Sequence, residues 1–254
     1  MSLRVAMVGA CPYPVPQGSQ VYLRETGLTL RERGHAVHLV VYGHGMGEDE
    51  SGMPIHRCAR LPLAKRTAAG PSLAKPFQDA ALVATLRGVV RRERIDVVCA
   101  HNYEGLAVAL AAGRRPVVYF AHNLMGDELP HYFGFGRGAW AGAGRWLDRC
   151  LPRRADFVVA PHARLAETLL ALGCDGERIG VVPPSLAVEE FAPCGERVGL
   201  PPVVYAGNLD GYQNLGLLEA AMGEVRRTLP EARLCVGTGA SGSLAGAEMI
   251  AVHD

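Results

Sequence analysis

The sequence is poor in the features that mark disulfide-rich, membrane-spanning and nucleic-acid-binding proteins. Its seven cysteines are scattered, odd in number and never spaced as CxxC, so we expect neither a disulfide framework nor a cysteine zinc site. No run approaches the roughly 18 apolar residues that a membrane-spanning helix needs. The formal net charge is only +1, which does not favour binding to nucleic acid. We therefore predict a cytoplasmic protein that at most rests on the inner face of the membrane.

What the sequence does contain is a regular alternation of short apolar runs and longer helix-like segments. The apolar runs are continuous and β-branched, which is typical of strands buried on both faces of a parallel sheet. The predicted strands span residues 3–8, 36–42, 97–100, 117–121, 157–160 and 179–182. The predicted helices span residues 20–33, 78–92, 104–112, 145–151 and 164–172, and residues 43–76 are predicted as loop. The alternation predicts an α/β fold with a doubly wound, Rossmann-like parallel sheet.

The alternation stops once and then restarts, which predicts two domains. Residues 1–185 form the first predicted domain, and residues 186–201, which carry little strand or helix signal, form a linker. The second series begins at residue 202, with predicted elements at 203–206 (strand), 215–228 (helix) and 232–236 (strand). Two strands and one helix cannot bury a full core. We therefore expect residues 202–254 to be the start of a second, incomplete Rossmann-like domain.

A stiff loop follows the first predicted strand. It reads PYPVPQGSQ, residues 12–20, with three prolines, a glycine and a serine. Ligands of open α/β sheets bind beyond the carboxyl ends of the strands, where backbone N–H groups and helix N-termini favour phosphate. Gly18 lacks a Cβ and permits close approach, and Ser19 can cap the following helix or donate to a ligand oxygen. The loop predicts either a phosphate site or an ordinary capped helix with a stiff entry.

Two predicted strands end in the same pair of residues, a histidine followed by an asparagine. His101 and Asn102 follow one strand, and His122 and Asn123 follow the next. One such histidine is often a structural hydrogen-bonding group, but two pairs at one sheet edge favour a functional site. Neither pair belongs to a metal pattern such as HExxH, and the nearest acidic run, residues 48–50, lies in a polar loop. We therefore predict no metal and no separate cofactor.

Two other stretches carry weaker signals. Residues 237–242, GTGASG, fit the GxGxxG pattern but follow the second strand of their domain, whereas a dinucleotide-binding fingerprint opens a domain, so we do not expect NAD binding. Residues 129–154 mix aromatic and arginine side chains. That mixture predicts either peripheral contact with a membrane or a glycolipid acceptor, or a lid or core-facing helix with a solvated basic side.

Several stretches, taken in order, make the sequence similar to the GT-B-fold glycosyltransferases, and specifically to the retaining enzymes of glycosyltransferase family 4. They are the proline-rich loop with Gly18, LRERGHAVHLVV, IDVVCAHNYEG, PVVYFAHN, RRADFVVAPHARLAETLLALG, RIGVVPPSLAVEEF and VVYAGNLDGYQNLGLLEAA. The resemblance implies two Rossmann-like domains facing across a cleft. The first would hold mainly the acceptor (a glycan, a lipid-linked or a small-molecule hydroxyl), and the second mainly the nucleotide-sugar donor.

The resemblance also implies roles for individual residues. The donor diphosphate would be contacted by Gly18, Ser19, Gly207, Asn208 and Gln213. His122 would lie beside the donor sugar at the reaction centre, and the acceptor side would be lined by His101, Asn102 and Asn123.

The sequence departs from the family at two places. The family often has Arg where Asn208 stands and Lys where Gln213 stands, and neutral amides bind diphosphate less strongly than cations do. The family's paired glutamates fall beyond residue 254, so the 254 residues alone need not be active. Two alternatives stay open: a non-catalytic binding domain or subunit that needs a donor-binding partner, and a sugar-nucleotide 2-epimerase of the same fold.

Overall fold

The chain divides into two compact units, Met1–Leu186 and Ala187–Asp254. The structure, a computed structural model, describes residues 2–15, 17–46, 48–49, 51–60, 72, 74–113, 116–133, 135–184, 199–209, 213–239 and 242–251. Most of the predicted linker, residues 186–198, lies outside the described residues.

The first unit is a seven-stranded parallel sheet with helices on both faces. Its strands are β1 (Arg4–Gly9), β2 (Ala36–Val41), β3 (Ile55–Arg57), β4 (Val97–His101), β5 (Val117–Phe120), β6 (Phe157–Ala160) and β7 (Ile179–Val181). Its helices are α1 (Gly18–Glu32), α2 (Lys75–Arg92), α3 (Asn102–Ala112), α4 (Met125–Tyr132), α5 (Arg137–Cys150) and α6 (Ala163–Ala171). The strand order is β3-β2-β1-β4-β5-β6-β7, so the direction of winding reverses between β1 and β4. This is the doubly wound parallel sheet that the sequence predicts.

Apolar side chains cover both faces of this sheet. Met7 and Val8 are adjacent in β1 and fully buried, yet they belong to opposite hydrophobic clusters because successive side chains of a strand point to opposite faces. Val8 packs in the cluster that contains Leu86 of α2 and Leu106 of α3, whereas Met7 packs in the cluster that contains Leu23 of α1. Burial on both faces explains why the strands read as continuous apolar runs.

The second unit has a smaller parallel sheet. Its elements are β8 (Val203–Ala206), α7 (Leu215–Thr228), β9 (Leu234–Thr238) and β10 (Glu248–Ala251), and the strand order is β10-β9-β8. Met222 of α7 packs against Leu234 and Val236 of β9 in a core of its own. Gly237 of the GxGxxG stretch lies inside β9, and residues 240–241 of that stretch lie outside the described residues.

Among the described residues, β3, α4 and β10 are elements that the sequence does not predict. β3 lies within the predicted loop at residues 43–76, and its three residues are too few to show a hydrophobic period. α4 was missed because Pro130 lies inside it, and β10 because it follows a glycine-rich stretch. α5 extends the predicted helix at 145–151 back to Arg137.

Within the aromatic and basic stretch at 129–154, residues 129–132 end α4 and Arg137–Cys150 form α5. The rings of Phe133 and Trp140 stack with centroids 3.8 Å apart, whereas Phe135 and Trp146 are 77% and 63% exposed. None of the helices in the described part of the chain is long and apolar enough to cross a bilayer. The six cysteines that the structure describes are all free.

Candidate functional site

The loop after β1 is anchored to the rest of the first unit. Tyr13 is 1% exposed, its N–H donates to the carbonyl oxygen of His44 (3.1 Å), and its hydroxyl donates to Asp49 (2.7 Å). A Cβ on Gly45 would collide with the carbonyl oxygen of Tyr13, so only glycine fits at that position. The anchoring fixes the direction in which the chain enters α1.

The first turn of α1 is open. The helix begins at Gly18 rather than at the predicted residue 20; Gln17 is its N-cap, and no side chain among the described residues caps it. Ser19 is therefore not the cap, and its hydroxyl donates instead to the side-chain oxygen of Gln20 (2.6 Å). Apart from its chain neighbours and the backbone of α1 itself, no described atom lies within 4 Å of the point where a Cβ of Gly18 would stand. An uncapped first turn at the positive end of the helix dipole can accept an anion.

His101 and His122 contact each other at the carboxyl ends of β4 and β5. His101 pairs in register with Gly9 at the end of β1, and its Nδ1 lies 3.4 Å from Nε2 of His122. The ring of His101 stacks on Phe120 with centroids 4.4 Å apart, and the ring of Tyr22 lies 5.0 Å from that of His122. Aromatic packing therefore holds both imidazoles in fixed positions.

The two histidines differ in exposure. His101 is 2% exposed, and its Nε2 has no hydrogen-bond partner among the described residues, whereas His122 is only partly buried. Burial and the neighbouring His122 lower the pKa of His101 well below its usual value. Burial also lowers the pKa of His122 to about 4, although Glu104 opposes this shift. Both imidazoles are neutral at pH 7, and His122 is the one with an exposed face. The rings of Phe120, Tyr22 and His122 pack against His101, and its role on the acceptor side stays a prediction.

A cavity of about 290 Å³ opens in front of these strand ends. Its wall includes residues from the first turns of α1, α2 and α3 and from α4. A recess of about 20 Å³ is lined by both histidines and shares Ser19, Asn102 and Glu104 with the cavity. His122 therefore lies next to the large cavity.

The cavity wall carries the acidic side chains of Asp79, Glu104 and Glu128 together with Lys75. Nζ of Lys75 lies 2.5 Å from Oε1 of Glu104, and the hydroxyl of Tyr42 donates to Asp79 (2.5 Å). Burial raises the pKa of Asp79, although the hydrogen bond from Tyr42 opposes the shift. Glu128 accepts hydrogen bonds from neighbouring side chains. A wall of this kind can bind hydroxyl groups, because carboxylates accept hydrogen bonds from them.

The two asparagines occupy different places around the cavity. Asn102 lines it, with a left-handed backbone (φ 61°), and its Oδ1 accepts from the N–H of Tyr103 (2.8 Å). Asn123 is exposed, and its side-chain amide donates to Glu128, which is a residue of the cavity wall.

Sequence reasoning missed several residues of this wall: Lys75, Asp79, Glu104, Glu128 and Tyr132. Glu104 stands only two positions after Asn102. The rule that residues following a strand lie at the ligand edge of the sheet could therefore have identified it. Lys75 falls at the edge of the segment predicted as loop and carries no sequence signal.

The remaining predicted residues form a separate group in the second unit. Gly207 and Asn208 follow β8, and Nε2 of Gln213 donates to Oδ1 of Asn208 (3.1 Å). The hydroxyl of Tyr205 donates to the carbonyl oxygen of Asn208 (2.7 Å). Residues 210–212, between them in sequence, lie outside the described residues. The other predicted site residues all lie in the first unit.

Comparison with known proteins identifies a family model and a set of similar structures. The model of Glycosyltransferase Family 4 matches residues 16–190. Sucrose-phosphate synthase from Thermosynechococcus elongatus is similar with a TM-score of 0.72 and 14% identity, over 94% of this chain and 63% of that chain. HepE from Anabaena in complex with UDP-glucose has a TM-score of 0.64 and 14% identity, over 98% and 68% of the two chains. The catalytic domain of starch synthase IV from Arabidopsis thaliana, bound to ADP and acarbose, has a TM-score of 0.64 and 12% identity, over 100% and 75%.

These likenesses establish the fold. A search of curated proteins found no match. The chain spans 63% of the length of the sucrose-phosphate synthase and 75% of that of the starch synthase domain. The predicted GT-B-like fold is confirmed, and the family model covers more than half of the chain.

Proposed function

Because the chain belongs to glycosyltransferase family 4, we propose that it transfers a sugar from a nucleoside-diphosphate sugar to an acceptor hydroxyl, with retention at the anomeric carbon. The observation that carries the proposal is the arrangement at the carboxyl edge of the first sheet. There an open helix N-terminus, a neutral histidine and a cavity lined in part by carboxylates lie around the point where the winding reverses. Open α/β sheets bind their ligands at such a point.

The leaving diphosphate is assigned to the first turn of α1. The backbone N–H groups of Gly18 and Ser19 stand at the positive end of the helix dipole, and the space over Gly18 is open to a ligand. Charge builds up on the diphosphate as the glycosidic bond breaks, so donors held in place beforehand stabilise the transition state. The anchored loop after β1 supplies that rigidity. The proposal needs no metal at this point.

His122 is assigned to the donor sugar. With its pKa lowered to about 4, the imidazole is neutral at pH 7 and both donates and accepts hydrogen bonds. One ring nitrogen faces His101, which leaves the other for a sugar hydroxyl near the reacting carbon. His101 acts here as a positioning residue for His122.

The acceptor is assigned to the cavity of about 290 Å³. Asp79, Glu104 and Glu128 offer carboxylate oxygens to hydroxyl groups, and Lys75 offers N–H donors. This mixture suits a glycan or another polyol. Holding an acceptor hydroxyl beside the donor sugar supplies the proximity that the transfer needs.

The second unit is assigned to the rest of the donor. Asn208 and Gln213 already form a hydrogen-bonded pair after β8, and Gly207 immediately precedes Asn208. Their amides can donate to a diphosphate, although less strongly than the cations that the family often carries there.

Titration calorimetry tests the proposal. UDP, ADP and GDP, each at about 1 mM, are titrated into the chain, and glucose or maltose without nucleotide provides the comparison. We expect heat of binding with at least one of the nucleotides. Binding of the sugars alone, with none of the nucleotides, would support the non-catalytic binding domain and contradict the transferase.

A further inference from the structure

A cluster of metal-ligating side chains lies away from the proposed transfer site. Among the residues that the structure describes, His38, His56 and Glu93 bring one ligand atom each to within 4.8 Å of the others. His38 stands in β2, His56 in β3, and Glu93 follows the last residue of α2. We propose that these three side chains bind a zinc ion, or a divalent ion of the same class, and that the ion fastens the sheet edge to α2.

The geometry of the two imidazoles suits a shared ion. Nδ1 of His38 lies 3.1 Å from Nε2 of His56, and the two rings are stacked with centroids 5.3 Å apart. Two nitrogens bound to a tetrahedral zinc at about 2.0–2.1 Å stand about 3.3 Å apart. The observed separation therefore needs only a small change to accept the ion between the two nitrogens.

The strand register holds the two rings together. His38 pairs with Ala6 of β1, and His56 pairs with Val40, so both histidines stand on adjacent parallel strands. The backbone carbonyl of Glu93 accepts a hydrogen bond from Arg4, which ties the end of α2 to β1 (3.1 Å). The three ligands thus come from elements that the fold already fixes.

Without an ion, Nδ1 of His38 and Nε2 of His56 share a hydrogen bond, which is the ordinary structural alternative to metal binding.

The ligand set selects the class of ion. Two imidazoles and one carboxylate suit zinc and similar transition metals, whereas magnesium and calcium prefer oxygen ligands. Three protein ligands leave a fourth position for water. The site uses β2, β3 and the end of α2, whereas the proposed transfer site uses the ends of β1, β4 and β5. The inference therefore does not rest on the proposed function.

The ion would stabilise the short edge strand. β3 has three residues, and within the described part of the chain its only partner strand is β2. An ion that binds the folded state and not the unfolded state adds to stability in proportion to the logarithm of its concentration over the dissociation constant.

The test uses the tag-free chain. Zinc is titrated by calorimetry, and melting temperatures are recorded with zinc, with magnesium and with zinc plus EDTA. We expect one zinc ion per chain, a melting temperature that rises with zinc and returns with EDTA, and no rise with magnesium. An absence of zinc binding, or an equal rise with magnesium, would overturn the proposal.

Variants locate the ion. His56→Ala and Glu93→Gln should each weaken zinc binding at least about tenfold, and the exposed His131→Ala should leave it unchanged. Glu93→Gln keeps the shape of the side chain at a helix end, so it remains informative if His56→Ala does not fold. Unchanged zinc affinity in the folded variants would place the ion elsewhere and refute the assignment.

Discussion

His122 and His101 face each other through ring nitrogens 3.4 Å apart, beside the point where the winding of the sheet reverses. Burial keeps both rings neutral, so one nitrogen of the contact donates while the other accepts. The tautomer of the buried ring thereby sets that of the partly exposed ring. The pair gives the cavity edge a fixed, uncharged hydrogen-bonding group.

The neutral state of His122 predicts a pH dependence of stability. An unfolded histidine takes up a proton below about pH 6.5, whereas His122 stays neutral down to about pH 4. Between these values the unfolded state binds more protons, so stability falls as the pH falls. His122→Asn removes this contribution, and its stability should fall less steeply, by up to about 1.4 kcal/mol per pH unit.

Urea denaturation at several pH values between 4 and 7 measures this slope. The control is His131→Asn, an exposed histidine of α4, which should keep the slope of the unchanged protein. Parallel stability curves for His122→Asn and the unchanged protein would show that His122 titrates normally.

The open space over Gly18 predicts a substitution that affects binding without affecting folding. Valine and glycine both have low helix propensity, so Gly18→Val should leave the free energy of unfolding nearly unchanged. Its side chain would occupy the space assigned to the diphosphate. Nucleotide affinity should fall at least about tenfold, which is about 1.4 kcal/mol.

The matched control for this substitution is Gly138→Val. Gly138 is the second residue of α5 and also has no described atom near its Cβ position. It should bind nucleotide as the unchanged protein does. Equal nucleotide affinities for Gly18→Val and Gly138→Val would show that the diphosphate does not bind at the first turn of α1.

The sequence predicted the strands of the first sheet and the residues at their ends because both follow from local patterns. Strands buried on two faces are continuous apolar runs, and the residues after them fall at the ligand edge of any doubly wound sheet. The start of α1 was placed two residues late because the proline-rich loop gives no clear boundary. β3 escaped prediction because three residues carry no period.

The walls of the cavity could not be predicted, because they depend on contacts between distant segments. Lys75 and Glu104 meet only because α2 and α3 pack side by side on one face of the sheet. The burial of His101 behind His122 likewise depends on Tyr22 of α1, which lies far away in sequence. His38, His56 and Glu93 form a cluster for the same reason and match no spaced motif.

The ion pair between Lys75 and Glu104 predicts a measurable coupling energy. Their side chains are 26% and 30% exposed, so solvent screens the pair only in part. In a double-mutant cycle with Lys75→Met and Glu104→Gln, we expect a coupling of about 1 kcal/mol or more. Denaturation of the four proteins gives the value.

The control cycle uses Arg227→Met and Glu224→Gln. This pair is 76% and 69% exposed, and its coupling should stay below about 0.5 kcal/mol. If the Lys75–Glu104 coupling is no larger than that of the exposed pair, the cavity wall is solvated like an ordinary surface.

The start of α4 depends on the buried carboxylate of Asp148. It is 4% exposed and accepts from the N–H groups of Met125 and Gly126, each at 2.8 Å. Asp148→Asn places an amide donor against one of these N–H groups and should cost about 1–3 kcal/mol of unfolding free energy. Asp175→Asn, which changes an exposed cap on Glu177, should cost about 0.5 kcal/mol or less. Equal losses in the two variants would contradict this assignment.

A crystal structure of the chain with the nucleotide sugar that binds most tightly tests the central claim most directly. The account predicts diphosphate oxygens about 3 Å from the N–H groups of Gly18 or Ser19, with the sugar ring in contact with His122. A nucleotide sugar bound while Gly18 and His122 touch no part of it would contradict the account.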